Sequence, residues 1–289
     1  VILVTTKSGK SGKTNVSYSG SARFSDAIGV PDIMDSYTFA QYFNRASANK
    51  GGGDIFAPAV MERIKAYQEG TLKATTVDNG AGIWQKWANA NGDTDWFEEF
   101  YDHWAPSQEH NLSINGGTDK TQYLISGSFL DQKGLMRHGK DKFQRYTLNG
   151  KITTAVTDWF KVTYYAKVDS EGKAIRPSYL TGNFFHNLAR KWPVHPAYDP
   201  NGFPMDEGEV EQMENGGKQN SQKDFYTNQL QLVFEPIKNW KINLDSSVRT
   251  TTQYQHWEVL PVYAYNVAGD PYYTVWDMGY GSYAAGSSR

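Results

Sequence analysis

The 289-residue sequence predicts an all-β fold: part of a large antiparallel transmembrane β-barrel with long, partly helical extracellular loops. Two observations predict it. Seven segments alternate apolar and polar side chains, the period-two pattern of a strand with one apolar face, and their length suits a tilted membrane strand. The connections between these segments alternate strictly between tight turns and long loops, as in barrels with short periplasmic turns and long outer loops.

The composition excludes several classes of protein. Lys and Arg number 29 against 31 Asp and Glu, so the chain has no basic surplus for nucleic acid. With no cysteine, it has no disulfides, thiol catalysis or cysteine-ligated metal. The longest aliphatic run, residues 1–4, is far shorter than the roughly 18 to 20 residues of a membrane-spanning helix.

The predicted strands show the alternation clearly. Phe160, Val162 and Tyr164 share one face, whereas Lys161 and Thr163 share the other. The seven segments are 15–26, 110–116, 121–131, 145–154, 160–169, 225–235 and 240–249. We expect the apolar side to face lipid through Tyr146, Leu148, Phe160, Val162, Leu232, Phe234, Trp240 and Ile242. We expect the polar side to face the barrel lumen through Arg145, Asn149, Lys151, Lys161, Lys167, Gln229, Gln231 and Lys241.

The connections separate the barrel from its main alternative. The tight turns are 116–120, 155–159 and 236–239. The long loops follow Asp26, Asp131 and Asp169. A soluble all-β protein with an apolar core face would show the same strand pattern but has no reason to keep this alternation.

The first long loop is predicted to contain two helices. The first begins at a capping Asp35 or Ser36, continues to about residue 48 and stops at the glycines 51–53. The second runs over 58–68. Both are interpreted as small elements within an external loop.

No combination of residues predicts catalysis, a metal site or a cofactor. His103, His110, His186 and His195 lack a third ligand, and neither a nucleophile elbow nor a phosphate-binding loop occurs. The oxygen-rich stretch 89–95 resembles a calcium loop, but Thr94 stands where an EF-hand needs glycine. A turn that caps the following segment is the preferred interpretation of that stretch.

Aromatic residues make up 15% of the chain, and several fall in the predicted external loops. Such rings stack on sugars, cover a partner protein or hold a long loop together. The candidate ligand- or partner-contacting aromatics are Trp84, Trp87, Trp104, Trp192 and Tyr198.

Several segments, taken in order, resemble the SusC/RagA-like TonB-dependent transporters of Bacteroidetes outer membranes. Residues 1–9 resemble the closing strand of that family's plug domain, and 94–101 with 110–121 resemble its run into the second barrel strand and first periplasmic turn. Further similar segments are 129–135, 145–146, 157–162 and the Pro-rich loop 193–202.

The resemblance implies a 22-stranded, plugged barrel in the outer membrane. Residues 1–13 would end the plug domain, and 14–289 would form the N-terminal part of a barrel that these strands alone do not close. The absence of an initiator Met likewise suggests an internal fragment. Such a transporter takes up oligosaccharides or oligopeptides with a SusD-like lipoprotein, driven by TonB-ExbB-ExbD through a region missing here. Neither an enzymatic activity nor a cofactor is implied.

Two functions from other classes stay open at this point. One is a soluble or surface-attached all-β carbohydrate-binding module, whose apolar faces would pack on one another. The other is a secreted glycoside hydrolase, which needs two carboxylates about 5 to 9.5 Å apart in a cleft. We expect no such carboxylate pair.

Overall fold

A computed structural model describes residues 7–177, 182–258 and 260–273. Its main feature is one antiparallel sheet of seven strands that pair in sequential order. The strands are β1 (Gly12–Ser25), β2 (Ala105–Gly117), β3 (Thr121–Lys133), β4 (Lys142–Ala155), β5 (Phe160–Pro177), β6 (Lys218–Ile237) and β7 (Trp240–Trp257). Residues 1–6 of the predicted plug strand, residues 1–9, lie outside the described residues, and residues 7–9 form no strand.

The all-β prediction is confirmed, and most strands are longer than the alternation indicated. β6 begins at Lys218 rather than at residue 225, and β7 continues to Trp257 rather than ending at residue 249. The added residues pair in register, for example Gln219 with Trp257. They are mostly polar on both faces, so the apolar alternation ends although the backbone ladder continues.

The short connections lie at one end of the sheet and the long ones at the other, as predicted. The turn between β6 and β7 has only two residues, and its Asn239 takes a left-handed φ of 68°, which Asn tolerates better than most residues. The long connections cover residues 26–104, 134–141 and 178–217.

The long connections contain five α-helices and one short 3-10 helix, Trp87–Asn89, in their described parts. The α-helices are α1 (Ser36–Asn49), α2 (Pro58–Gln68), α3 (Trp96–Phe100), α4 (Gly182–Arg190) and α5 (Val210–Asn215). α1 and α2 were predicted, and the Asp35 carboxylate caps α1 by accepting the Thr38 N–H at 2.9 Å. α3 and α5 have five and six residues, too few for a helical apolar period to show.

The hydrophobic core lies in these connections. Trp96 and Phe100 of the first, Met136 of the second and Phe184 of the third form one buried cluster. A second cluster joins Phe56 and its neighbours in α1 and α2 to Val194. A small hairpin, β8 (Tyr263–Tyr265) and β9 (Pro271–Tyr273), follows the main sheet. The term loop cap denotes this hairpin together with the described residues of the long connections, 26–104, 134–141 and 182–217. Among the described residues, no helix combines the length and apolar character that a membrane crossing requires.

Candidate functional site

Strand pairing places all eight predicted lumen residues on one face of the sheet. Directly paired residues of antiparallel strands share a face, and so do alternate residues along a strand. Asn149 pairs with Lys167, Lys151 with Tyr165, and Tyr165 with Gln229. The remaining predicted lumen residues lie on the same face, because they alternate with residues of the other face along their strands and pair in register from β4 to β7.

Hydrogen bonds run across this polar face. The Tyr165 hydroxyl donates to Asn149 Oδ1 at 3.2 Å, and Asn149 Nδ2 donates to Ser126 Oγ at 3.3 Å. The Lys151 ammonium donates to Ser8 Oγ at 2.8 Å. The connection that precedes β1 therefore touches the polar face.

The predicted lipid-facing residues occupy the opposite face, whose apolar side chains remain exposed. Leu148 pairs with Val168 and is 58% exposed, and Leu244 pairs with Leu232 and is 55% exposed. Burying such a face in an apolar medium stabilises it in proportion to the area removed from water. The sheet thus presents a continuous apolar face opposite a continuous polar one.

Two of the predicted contact aromatics lie inside the loop cap. The Trp192 ring packs against Phe39, Phe43 and Phe56, with centroids 4.9 to 5.7 Å apart. Trp87 stacks on the buried His195 ring at 4.6 Å, and its indole N–H donates to Glu207 Oε2 at 2.6 Å. Both tryptophans join the first long connection to the third.

The other three predicted aromatics have different surroundings. Trp104 is 65% exposed and adopts a left-handed φ of 59° just before β2. Trp84 is half-buried beside Asp199. Tyr198 lines a cleft of about 370 Å³ together with Asp95, Glu98 and Arg137. Burial, followed by the charges of nearby carboxylates, raises the pKa of Tyr198 to about 12.

A group of buried and partly buried charges holds the third connection in place, and the sequence did not predict it. Lys86 reaches Asp206 and Glu207, each at 2.7 Å. Lys191 pairs with Glu209 at 3.1 Å, and both side chains are at least 96% buried. Burial lowers the pKa of Lys191 although the carboxylates oppose this. Nothing in the local sequence signals these pairs, because their partners are far apart in the chain.

His138 connects the three long connections. Its Nε2 lies 2.8 Å from Glu99 Oε1 in α3, and its Nδ1 lies 2.9 Å from Glu214 Oε1 in α5. Burial alone would lower the pKa of His138, but the hydrogen bonds and charges of the two glutamates outweigh it and raise that pKa above the usual value. The protonated ring can donate to both carboxylates at once.

The oxygen-rich stretch 89–95 serves as a helix cap and a loop anchor. Asp95 Oδ1 caps α3 by accepting the N–H groups of Phe97 and Glu98 at 2.9 and 3.1 Å. Asp93 accepts hydrogen bonds from the Ser36 backbone and hydroxyl and from Gln68. The capping interpretation is confirmed. No group of three or more His, Asp or Glu side chains in the described parts of the chain is arranged to hold a metal ion.

Comparison with known proteins adds sequence relatives to this geometry. No family model matches the chain. The TonB-dependent receptor SusC of Bacteroides thetaiotaomicron is 27% identical over 148 residues, which are 51% of this chain and 11% of that protein. The TonB-dependent receptor P3 of Formosa agariphila is 25% identical over 162 residues, 56% of this chain and 12% of that protein.

The chain is similar to SusC/RagA-like TonB-dependent receptors. The fold agrees with that relationship. The RagAB peptide importer in its closed-closed state matches 89% of this chain with a TM-score of 0.64 and 17% identity. The open-open state of the same importer matches 90% of the chain with a TM-score of 0.62 and 16% identity.

The chain spans a small part of the length of these relatives, about a tenth of the curated receptors and 30% of the solved chains. The relatives are receptors and importers and not enzymes, in agreement with the sequence prediction. TonB-dependent receptors are outer-membrane β-barrel proteins, whereas the seven strands described here form an open sheet.

Proposed function

We propose that this segment forms part of the wall and outer surface of a TonB-dependent importer that takes oligosaccharides or oligopeptides across the outer membrane. The observation that carries the proposal is the two-faced sheet with its turns at one end and its packed loops at the other. A membrane barrel requires an apolar exterior, a polar interior and unequal ends.

In this proposal the apolar face meets lipid and the polar face lines the lumen. The eight polar residues predicted for the lumen then lie where a plug domain and a passing substrate would meet them. The contact of Lys151 with Ser8 supports this orientation, because Ser8 belongs to residues 1–13, the expected end of the plug.

The loop cap would lie outside the cell, where a SusD-like lipoprotein covers the barrel. TonB-ExbB-ExbD would act through a region outside this segment. Trp104, with its exposed ring, and Tyr198, in a cleft, are the predicted aromatics best placed to contact substrate or lipoprotein. Among these relatives only RagAB has a substrate in its name, a peptide. The proposal therefore keeps both oligosaccharides and oligopeptides as substrate classes.

The carbohydrate-binding module is less consistent with the structure. Its apolar strand faces would pack on one another, whereas Tyr18, Leu148 and Val248 are 58 to 66% exposed. The strict alternation of turns and loops also has no explanation in a soluble sandwich.

The test is made on the full-length protein in its native cell. We expect it in the detergent-extracted outer membrane as a heat-modifiable band that co-purifies with a lipoprotein. Uptake of labelled oligosaccharides and oligopeptides, each measured with and without functional TonB, would identify the substrate class. A protein that is soluble without detergent, or uptake that persists without TonB, would contradict the proposal.

A further inference from the structure

A groove of about 490 Å³ indents the apolar face of the sheet from β1 to β5. At its centre Gly127 of β3 pairs with Leu112 of β2 and Leu148 of β4. Since glycine has no side chain, the two leucines form the walls of a gap. The volume is in the range of small-molecule sites, and no Asp, Glu, Lys or Arg lines the groove.

Aromatic rings and hydrogen-bonding groups mark one end of the groove. The Tyr18 hydroxyl and His110 Nδ1 are 2.7 Å apart, and the His110, Phe129 and Tyr146 rings follow one another across β2 to β4. Ser170 of β5 pairs with Tyr146. His110, Phe129, Tyr146 and Ser170 pair with one another two residues nearer the loop cap than Gly127 and its partners. Tyr18 pairs with Leu112, level with Gly127, and reaches His110 with its hydroxyl. The hydrogen-bonding groups of the groove therefore lie toward the cap, and the groove is apolar toward the turns.

The charges beyond that end restrict the ligand further. Asp224 accepts the Ser170 hydroxyl at 2.6 Å, and Asp131 lies on the same face of the neighbouring strands, paired with Lys142 at 3.0 Å. Lys142 compensates the charge of Asp131, so Asp224 is the carboxylate beside the rim that disfavours a phosphate at this position and suits neutral hydroxyl groups.

We infer that the groove binds one acyl chain of an outer-leaflet glycolipid, with sugar hydroxyl groups beside Tyr18, His110 and Ser170. The inference rests on the proposed function, because the apolar face meets lipid only in a membrane barrel. The groove is continuous with that face, its polarity follows that of an amphiphile in the outer leaflet, and its position across β1 to β5 leaves it accessible from the lipid side.

The experiment is native mass spectrometry of the full-length protein extracted from its own outer membrane in mild detergent. We expect a bound glycolipid on the wild type and at least a tenfold loss in Gly127→Leu, whose new side chain fills the gap. The matched control is Gly150→Leu, on the same face of β4 but outside the groove and with open space around it. The control is expected to keep the lipid.

A second variant keeps the test decisive if Gly127→Leu gives no heat-modifiable band. Tyr18→Phe retains the ring and removes the hydroxyl, and we expect it to retain several-fold less glycolipid. A wild type in the outer membrane that carries only phospholipid, only detergent or a second barrel copy in the groove would overturn the inference and leave the proposed function intact. A wild type outside the outer membrane would instead overturn the proposed function.

Discussion

Trp87 stacks on His195 with ring planes 16° apart, so a tryptophan that the sequence offers for ligand contact holds two connections of the loop cap together. The buried imidazole fits this role only when neutral, because its Nε2 donates to the Asp206 carbonyl at 3.0 Å while its Nδ1 accepts from the backbone N–H of Trp87 at 3.4 Å. Burial, assisted by the charge of Lys191, lowers the pKa of His195 to about 3.

Replacing Trp87 by alanine is expected to loosen the cap. The change removes the His195 stack and the Glu207 hydrogen bond, and a cost of about 3 kcal/mol is typical of a large aromatic ring that is lost from a packed site. Hydrogen exchange of the loop-cap amides in the full-length protein measures this loss of stability. Trp104→Ala, at an exposed ring, is the control and should change stability by less than about 0.5 kcal/mol. Equal loosening in both variants would contradict this assignment.

His138 makes the cap sensitive to pH. Because its pKa is raised in the folded protein, its stabilising effect is complete below the unfolded value of about 6.5 and is lost as the pH rises through the folded pKa. We expect exchange in α5 to accelerate over that range relative to α2. His138→Gln should reduce this difference to the part that Glu211 contributes within α5, and an unchanged pH profile in that variant would show that His138 is not responsible.

Glu211 is expected to change stability in the same direction as His138, beginning at a lower pH. Burial, and then the charge of Asp206, raises the pKa of this carboxyl to about 8. The folded state therefore binds a proton that the unfolded state releases, and the contribution of Glu211 to stability falls as the pH rises from about 4.5 to 8. Glu211→Gln should stabilise the cap increasingly over this range, as thermal unfolding at several pH values would show. Glu62→Gln, at an exposed position in α2, should have no such effect.

The two faces of β6 are expected to respond differently to arginine. Leu230 is on the apolar face and Gln229 is its neighbour on the polar face. Leu230→Arg should cost about 2 to 4 kcal/mol near the bilayer midplane, whereas Gln229→Arg should cost much less. Urea unfolding of the full-length barrel in lipid vesicles measures the free energy of unfolding of both variants. The m values of the variants are compared in the same experiment. A larger cost for Gln229→Arg would reverse the assignment of lipid and lumen.

Much of the sheet could be predicted because its information is local. The alternation in 160–169 assigns each side chain to a face without reference to any other strand, and the tight turns give the order of neighbours. The cap of α1 was also visible, since Asp35 bonds to an amide three residues ahead, and the stretch 89–95 was expected to cap the segment that follows it, as Asp95 does. The roles of the loop aromatics were not visible, because exposed and packed tryptophans look alike in sequence.

The sequence by itself determined the strands, their two faces, the alternation of turns and loops and the first two helices, because hydrophobic periodicity and capping act over a few residues. Only the tertiary structure decided that the long connections form one packed cap, that Trp87 and Trp192 lie inside it, and that His138 joins Glu99 to Glu214. Those contacts join residues tens of positions apart, and burial and charge pairing at such distances arise only when the chain is folded.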